Sequence, residues 1–320
     1  MKRTINLRSL VLLISMTMLF SIARSQTFIP VRGTGPSVDK KINVSGFTGI
    51  EVSSGIDVIL AQGNSESLIL TVQENLFKYI TVAVENRTLK IYCRNNIRPT
   101  QPMKAHITFK DINSLKVSGG GDTYSDTPLA VNDLDVNISG GGDFNSEINS
   151  EILKFKISGG GDAEIAGKTN DYNVSVSGGG DLESKVNAEI ISCRLVGGGD
   201  LHMRNESQAS DADIEISGGG DADIKISTQK LKCSVSGGGD AVISGVASDF
   251  DINSSGGGDA DARDLSTETT SFNVRGGSDI RVNASKELSG HISGGGDIYY
   301  SGDPAKLSVD ASGGSKVKRD

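Results

Sequence analysis

The chain has 320 residues, a formal net charge of −8, 41 glycines, 5% aromatic residues and no tryptophan. An acidic chain of this kind lacks the basic patches that neutralise phosphate, which excludes a nucleic-acid partner. With so few aromatic rings, the core expected is a narrow one of Val, Ile, Leu and Ala.

Residues 1–25 read as a signal peptide. Lys2, Arg3 and Arg8 form a basic start, Leu10 to Ile22 is an apolar run, and Ala23-Arg24-Ser25 puts small residues at the two positions a signal peptidase reads. The run is shorter than the ~20 residues needed to cross a bilayer, so the chain is expected not to span a membrane after cleavage near Ser25–Gln26. Removing four basic residues and no acid takes the mature charge to −12. The destination is export, to the periplasm, the outer cell surface or the medium, where such acidity suits solubility or cation binding.

Residues 26–43 read as an extended lead-in. Residues 44–112 alternate as strands, among them Leu68–Val72, Ile80–Val84, Leu89–Tyr92 and Ala105–Phe109, and are expected to form irregular first rungs or a cap. Val52-Ser-Ser-Gly-Ile-Asp-Val58 looks like an eroded glycine corner.

From residue 113 to 315 one unit repeats. A glycine turn ending in aspartate, usually Ser-Gly-Gly-Gly-Asp, recurs at Asp122, Asp143, Asp162, Asp181, Asp200, Asp221, Asp240, Asp259, Asp279 and Asp297, with spacings of 18 to 21 residues. A degenerate copy follows at Gly313-Gly314-Ser315, and residues 316–320 form a charged tail. A fixed period of this length marks a solenoid, whose short unit stacks on its neighbours because it cannot bury its own apolar face.

Aligned on the aspartate, the repeats show two short strands per turn about the glycine corner. Leu115, Val136, Phe155, Val174, Cys193, Ile214, Cys233, Ile252 and Phe272 fill the column seven residues before it. Val117, Ile138, Ile157, Val176, Leu195, Ile216, Val235, Ser254, Val274 and Ile292 fill the column five before. Polar residues take the alternate places, which is the period of a strand with one buried face. The fold class is all-β, a parallel β-helix of 18–21 residues per rung. Cys193 and Cys233 would lie two rungs apart, roughly 9.6 Å at the strand spacing, too far for a disulfide. They read as small core residues.

The segments Phe47-Thr-Gly-Ile-Glu-Val52, Gly55-Ile-Asp-Val-Ile-Leu-Ala-Gln-Gly63 and Leu89-Lys-Ile91, followed by the serial Ser-Gly-Gly-Gly-Asp corners, resemble the head GIN domain family of auto-transporter adhesins. The resemblance covers about residues 45–315. It implies a right-handed parallel β-helix on an exported bacterial envelope protein, and it brings no catalytic residues with it.

The ten aspartates, Asp122 to Asp297, are the leading candidate site. Stacked at ~4.8 Å they would repel one another unless they bind calcium or accept backbone N–H groups as turn caps. One aspartate corner per rung offers few calcium ligands, which favours capping. No other cofactor is implied. Neighbouring carboxylates near 5 Å also match a retaining glycosidase. Acids that recur on every rung, however, read as a scaffold, and His106, His202 and His291 fall in different phases of the repeat. Tyr299 is a candidate ligand contact. The function read from these features is a non-catalytic adhesion or glycan-binding module of the cell envelope, facing a glycan or other cell-surface polymer. A structural or self-associating scaffold and a polysaccharide-active enzyme are the alternatives.

Overall fold

The computed structural model describes residues 30–320. The signal peptide read at residues 1–25 and the start of the lead-in lie outside the described residues. Within them the chain is a β-solenoid of about 11 turns built from stacked parallel strands.

The register follows the sequence columns residue for residue. Leu115 pairs with Val136, Val136 with Phe155, Phe155 with Val174, Val174 with Cys193, Cys193 with Ile214 and Ile214 with Cys233. All of these side chains are buried. Because Ile214 stands between them, Cys193 and Cys233 are both free, and burial pushes each thiol up to about 12. Cys93 is half-buried and also free.

One expectation changes. Two short strands per turn were expected, but from Ala163–Gly178 to Ile280–Gly294 each rung is one strand of 15 to 18 residues, ending only at the glycine corner, and the expected pair returns in the last rung as Ile298–Ser301 and Lys306–Gly313. The second bend is taken without breaking the ladder, and its sign in the sequence is two exposed residues in succession, as at Glu189-Ile190. All the variation in repeat length falls near that bend. The register shifts lie between Ser184 and Ile190, between Arg204 and Gln208, between Val242 and Gly245, and between Ala262 and Ser266 and again between Thr267 and Thr269.

The glycine corner is tight because corners stack directly. A Cβ on Gly197 (φ +133°) would lie 2.1 Å from the carbonyl oxygen of Gly178, and one on Gly199 would lie 2.0 Å from that of Gly180. The middle glycine, Gly198, has nothing within 4 Å of the same added atom. Two of the three glycines are therefore demanded by the corner beneath.

The lowest corner shows the converse. Ser53-Ser54-Gly55-Ile56-Asp57 aligns with Ser118-Gly119-Gly120-Gly121-Asp122, since Val52 pairs with Val117 and Val58 with Thr123. Beneath it the chain leaves the stack between Ile91, which accepts from the Ser53 N–H, and Met103, which accepts from the Asp57 N–H. Ser54 (φ +78°) and the buried Ile56 can then stand where glycines stand above.

Ser278 is a second exception, at the third glycine's place with its side chain fully buried. Its hydroxyl meets Ser254 Oγ at 2.9 Å, and Ser254 is the one polar member of its aliphatic column. The two serines form a matched pair. Ser254→Val alone should lower stability by about 1–3 kcal/mol, because it leaves the buried Ser278 hydroxyl with only a 3.5 Å bond to the Gly256 carbonyl oxygen. Adding Ser278→Gly should recover most of the loss, and a thermal-unfolding double-mutant cycle reads the coupling; additive losses would dissolve the pair.

Residues 44–112 supply both a rung and a cap. Gly49–Val52 and Asp57–Gln62 form the first full rung, stacked in parallel on Thr88–Cys93 and Lys104–Phe109. Below these the pairing turns antiparallel. Ile80–Glu85 runs back along Thr88–Cys93 through a two-residue turn, Asn86-Arg87, with φ of +49° and +60°, the geometry that matches strand twist in a hairpin. Ser67–Gln73 runs back along Lys104–Phe109. Of the expected lead-in, Val31–Arg32 pairs with Ile97–Arg98, and Ser37–Ile42 pairs antiparallel with Ser67–Gln73, so its described part belongs to the cap. Likewise, Val317–Arg319 of the expected tail is a strand paired with Ile298–Ser301.

Candidate functional site

The ten aspartates form one continuous hydrogen-bonded column. Oδ1 of Asp122 accepts the backbone N–H of Asp143 at 3.1 Å, and the same bond recurs at 2.8–3.0 Å through Asp162, Asp181, Asp200, Asp221, Asp240, Asp259, Asp279 and Asp297. The column extends past both ends of the sequence motif. Asp57 Oδ1 accepts the Asp122 N–H at 3.2 Å, and Asp297 Oδ1 accepts the Lys316 N–H at 2.9 Å. In the other direction each residue after an aspartate donates to the next aspartate's carbonyl, as Leu182 N–H does to Asp200 at 2.9 Å. One oxygen of each carboxylate is thus committed to its neighbour. Among the described residues no group of three or more His, Cys, Asp or Glu side chains is arranged to hold a metal ion.

Asp57 was absent from the expected column although its corner was recognised. The signal was present in the spacing, for Ser53 to Asp57 has the same length as the later corners with only the middle glycine, Gly55, kept.

A second outward column stands two residues on, running Tyr124, Asn145, Glu164, Glu183, His202, Asp223, Val242, Asp261, Arg281, Tyr299 and Lys318. Its acids are neutralised locally. Lys185 reaches Glu183 at 2.7 Å and Glu164 at 3.6 Å, Arg204 reaches Asp223 at 2.6 Å, and Arg263 reaches Asp261 at 2.7 Å. Hydrogen bonding by Lys185 holds the Glu183 carboxyl below its usual range, and Arg204 does the same for Asp223. Between the two columns lies a shallow depression of about 400 Å³ lined by Asp143, Asp162, Asp181, Glu164, Glu183 and His202.

Tyr299 lies in this second column, half-buried between the rungs on either side. The Arg281 guanidinium is 5.2 Å from its ring centroid and the Lys318 ammonium 4.8 Å. Lys318 also donates to Asp297 Oδ2 at 2.6 Å, which holds that carboxyl below its usual range. The ring is a bridge in a cation and carboxylate cluster, with its faces attended by cations. The three histidines do not meet. His291 Nδ1 lies 3.1 Å from Asp310, His202 Nδ1 lies 4.0 Å from Asp223, and His106 is exposed on Lys104–Phe109.

A polar relief runs along the second bend. Two depressions of about 660 and 530 Å³ follow one another along it, lined by carboxamides, among them Asn149, Asn170, Asn187 and Gln229, and by charged residues, among them Lys168, Glu189 and Glu151. Some of these amides build the bend. Gln62 exchanges two hydrogen bonds of 2.7 Å with the Ala130 backbone, and Asn187 Oδ1 accepts from Glu206 N–H at 2.7 Å and Ser207 N–H at 3.1 Å, over the bulge of a longer rung. Others are unclaimed. Gln229 is exposed and Asn149 half-buried, and neither carboxamide bonds to another described residue. Sequence reasoning did not find this trough, because carboxamides alternate there with charged residues, as Lys168 stands between Asn149 and Asn187 in one column.

The family described as "putative auto-transporter adhesin, head GIN domain" matches residues 46–207 and 187–304. The chain belongs to that family. No curated protein matches this GIN-domain chain. Solved structures similar to it include a "putative adhesin" from Parabacteroides merdae ATCC 43184, at 18% identity over 91% of this chain and 98% of that one, with a TM-score of 0.46. Another is a "putative lipid binding protein" from Parabacteroides distasonis ATCC 8503, at 20% identity over 91% and 99%, with a TM-score of 0.36. A "putative adhesin" from Bacteroides fragilis NCTC 9343 shares 18% identity over 91% and 100%, with a TM-score of 0.32.

Proposed function

We propose that this GIN-domain chain is an exported, non-catalytic adhesion module that binds a glycan along the second bend. The observation that carries the reading is the trough, whose length crosses several rungs and whose lining mixes carboxamides with charged side chains such as Lys168 and Glu151. Sugar hydroxyls are bound by such paired donors and acceptors, and an extended polymer suits a surface that repeats along one axis. The glycine-aspartate column serves the scaffold in this reading, since each Oδ1 already holds a backbone N–H of the next rung. The non-catalytic assignment draws support from that regularity, because a catalytic site is a singular constellation of acid, base and reacting centre.

A glycan array with the purified chain tests the proposal. Retention of an extended neutral or weakly charged glycan is expected. Asn149→Ala and Gln229→Ala should each weaken binding about tenfold, the equivalent of roughly 1.4 kcal/mol, with unchanged melting temperature. An array without retained sugar, or retention indifferent to both substitutions, would remove the trough from consideration.

A further inference from the structure

The two ends of the solenoid differ. At the N-terminal end the parallel stack is closed by antiparallel strands, and the 3-10 helix Glu74–Tyr79 buries Leu76 against it. At the other end the strand Lys306–Gly313 pairs with Ile280–Gly294, and among the described residues its opposite edge has no partner. Its core-facing positions are uncovered. Leu307 stands in the column of the buried Leu288 yet is 49% exposed, Ala311 stands above the buried Ile292 yet is exposed, and Val309 and Val317 are only half-buried. Its two charges, Lys306 and Asp310, point outward, and it has neither an inward charge nor a proline, two of the devices that keep an edge from pairing.

We propose that this terminal rung pairs with the same rung of a second copy, giving a closed two-fold dimer joined end to end. The strand's own sequence selects this occupant. In an antiparallel pairing centred on Val309, Val309 faces its counterpart and Leu307 faces Ala311 of the other copy, large against small, so the aliphatic columns continue across the joint. On the outer face Ser308 then meets Asp310 and Lys306 meets Ser312, and no like charges face one another. A register one residue away would put outward polar residues against inward aliphatic ones. The N-terminal cap also leaves one edge of Ser37–Ile42 and of Ile80–Glu85 unpaired among the described residues, but these strands carry Asp39, Lys40, Lys41 and Glu85, so head-to-tail stacking is disfavoured. An isologous contact closes at two copies.

Light scattering on the purified chain, coupled to size exclusion, should give twice the mass of one chain, with no larger species as concentration rises. In a Cys93→Ser background, Val309→Cys should form an intermolecular disulfide under mild oxidation, because directly opposed residues lie within bridging distance. Ser308→Cys, out of register with itself, should form far less. Val309→Lys should yield a monomer whose circular dichroism spectrum is unchanged. A monomeric wild-type mass at 100 μM protein, taken as about tenfold above ordinary working concentrations, would overturn the proposal, as would growing filaments or equal crosslinking at positions 308 and 309.

Discussion

Replacing Gly197 by alanine should lower the stability of the solenoid by about 3 kcal/mol or more, whereas Gly198→Ala, one residue on, should change it by less than about 0.5 kcal/mol. The contrast comes from stacking alone. Gly197 combines a φ of +133° with a carbonyl oxygen 2.1 Å from the place a Cβ would take, while Gly198 turns toward open space. The obstacle is backbone of the rung beneath, which cannot swing aside as a long side chain could. Relief requires parting two rungs, with loss of bonds such as Gly198 N–H to Gly178 at 2.9 Å. Solenoids lose structure locally, so hydrogen exchange at the amides of Gly179 and Gly198 should accelerate before the far rungs do. Equal losses for the two substitutions would show that the glycines matter for chain flexibility and not for the fit between corners.

Asp200→Ala should cost about 1–2 kcal/mol, comparable to losing a helix cap, because the Asp221 N–H then has no acceptor in the protein. Asp200→Asn keeps an acceptor at the same atom and lowers like-charge crowding along the column, so its cost should be a few tenths of a kcal/mol. Melting curves for both variants, recorded with calcium and with chelator, separate the two roles first considered for the column. Equal losses for Ala and Asn, together with a calcium-dependent melting temperature in the wild type alone, would assign the carboxylates to ion binding instead.

Most of the architecture was legible because the corner is rigid. With the aspartate as a fixed origin, counting back five and seven residues lands on buried side chains in almost every rung, and the predicted register of Cys193, Ile214 and Cys233 is the observed one. Two features escaped the count. The lowest corner keeps only Gly55 because no corner stacks beneath it, so the glycine run that marks the other corners was missing at Asp57 although the carboxylate bond was not. In the trough of the second bend carboxamides alternate with charged residues, Asn149, Lys168 and Asn187 standing six residues after an aspartate and Asn170, Glu189, Gln208 and Gln229 eight after, so no uniform column announced it. Tyr299 was legible as an outward residue. Its neighbours Arg281 and Lys318 were not, since they belong to other rungs.

The division of the rung into a fixed corner and a variable bend has a practical meaning for how such a protein can change. Along one edge every residue is timed by contact with the rung below, and a single insertion there would put all later rungs out of phase. Along the other edge, rungs already differ by up to three residues, and the bulge between Arg204 and Gln208 is absorbed without disturbing the next corner. New sequence, whether drifted in by mutation or grafted by design, therefore has one place to enter each turn. That place borders the trough, so the surface can be rewritten rung by rung while the spine that carries it stays the same.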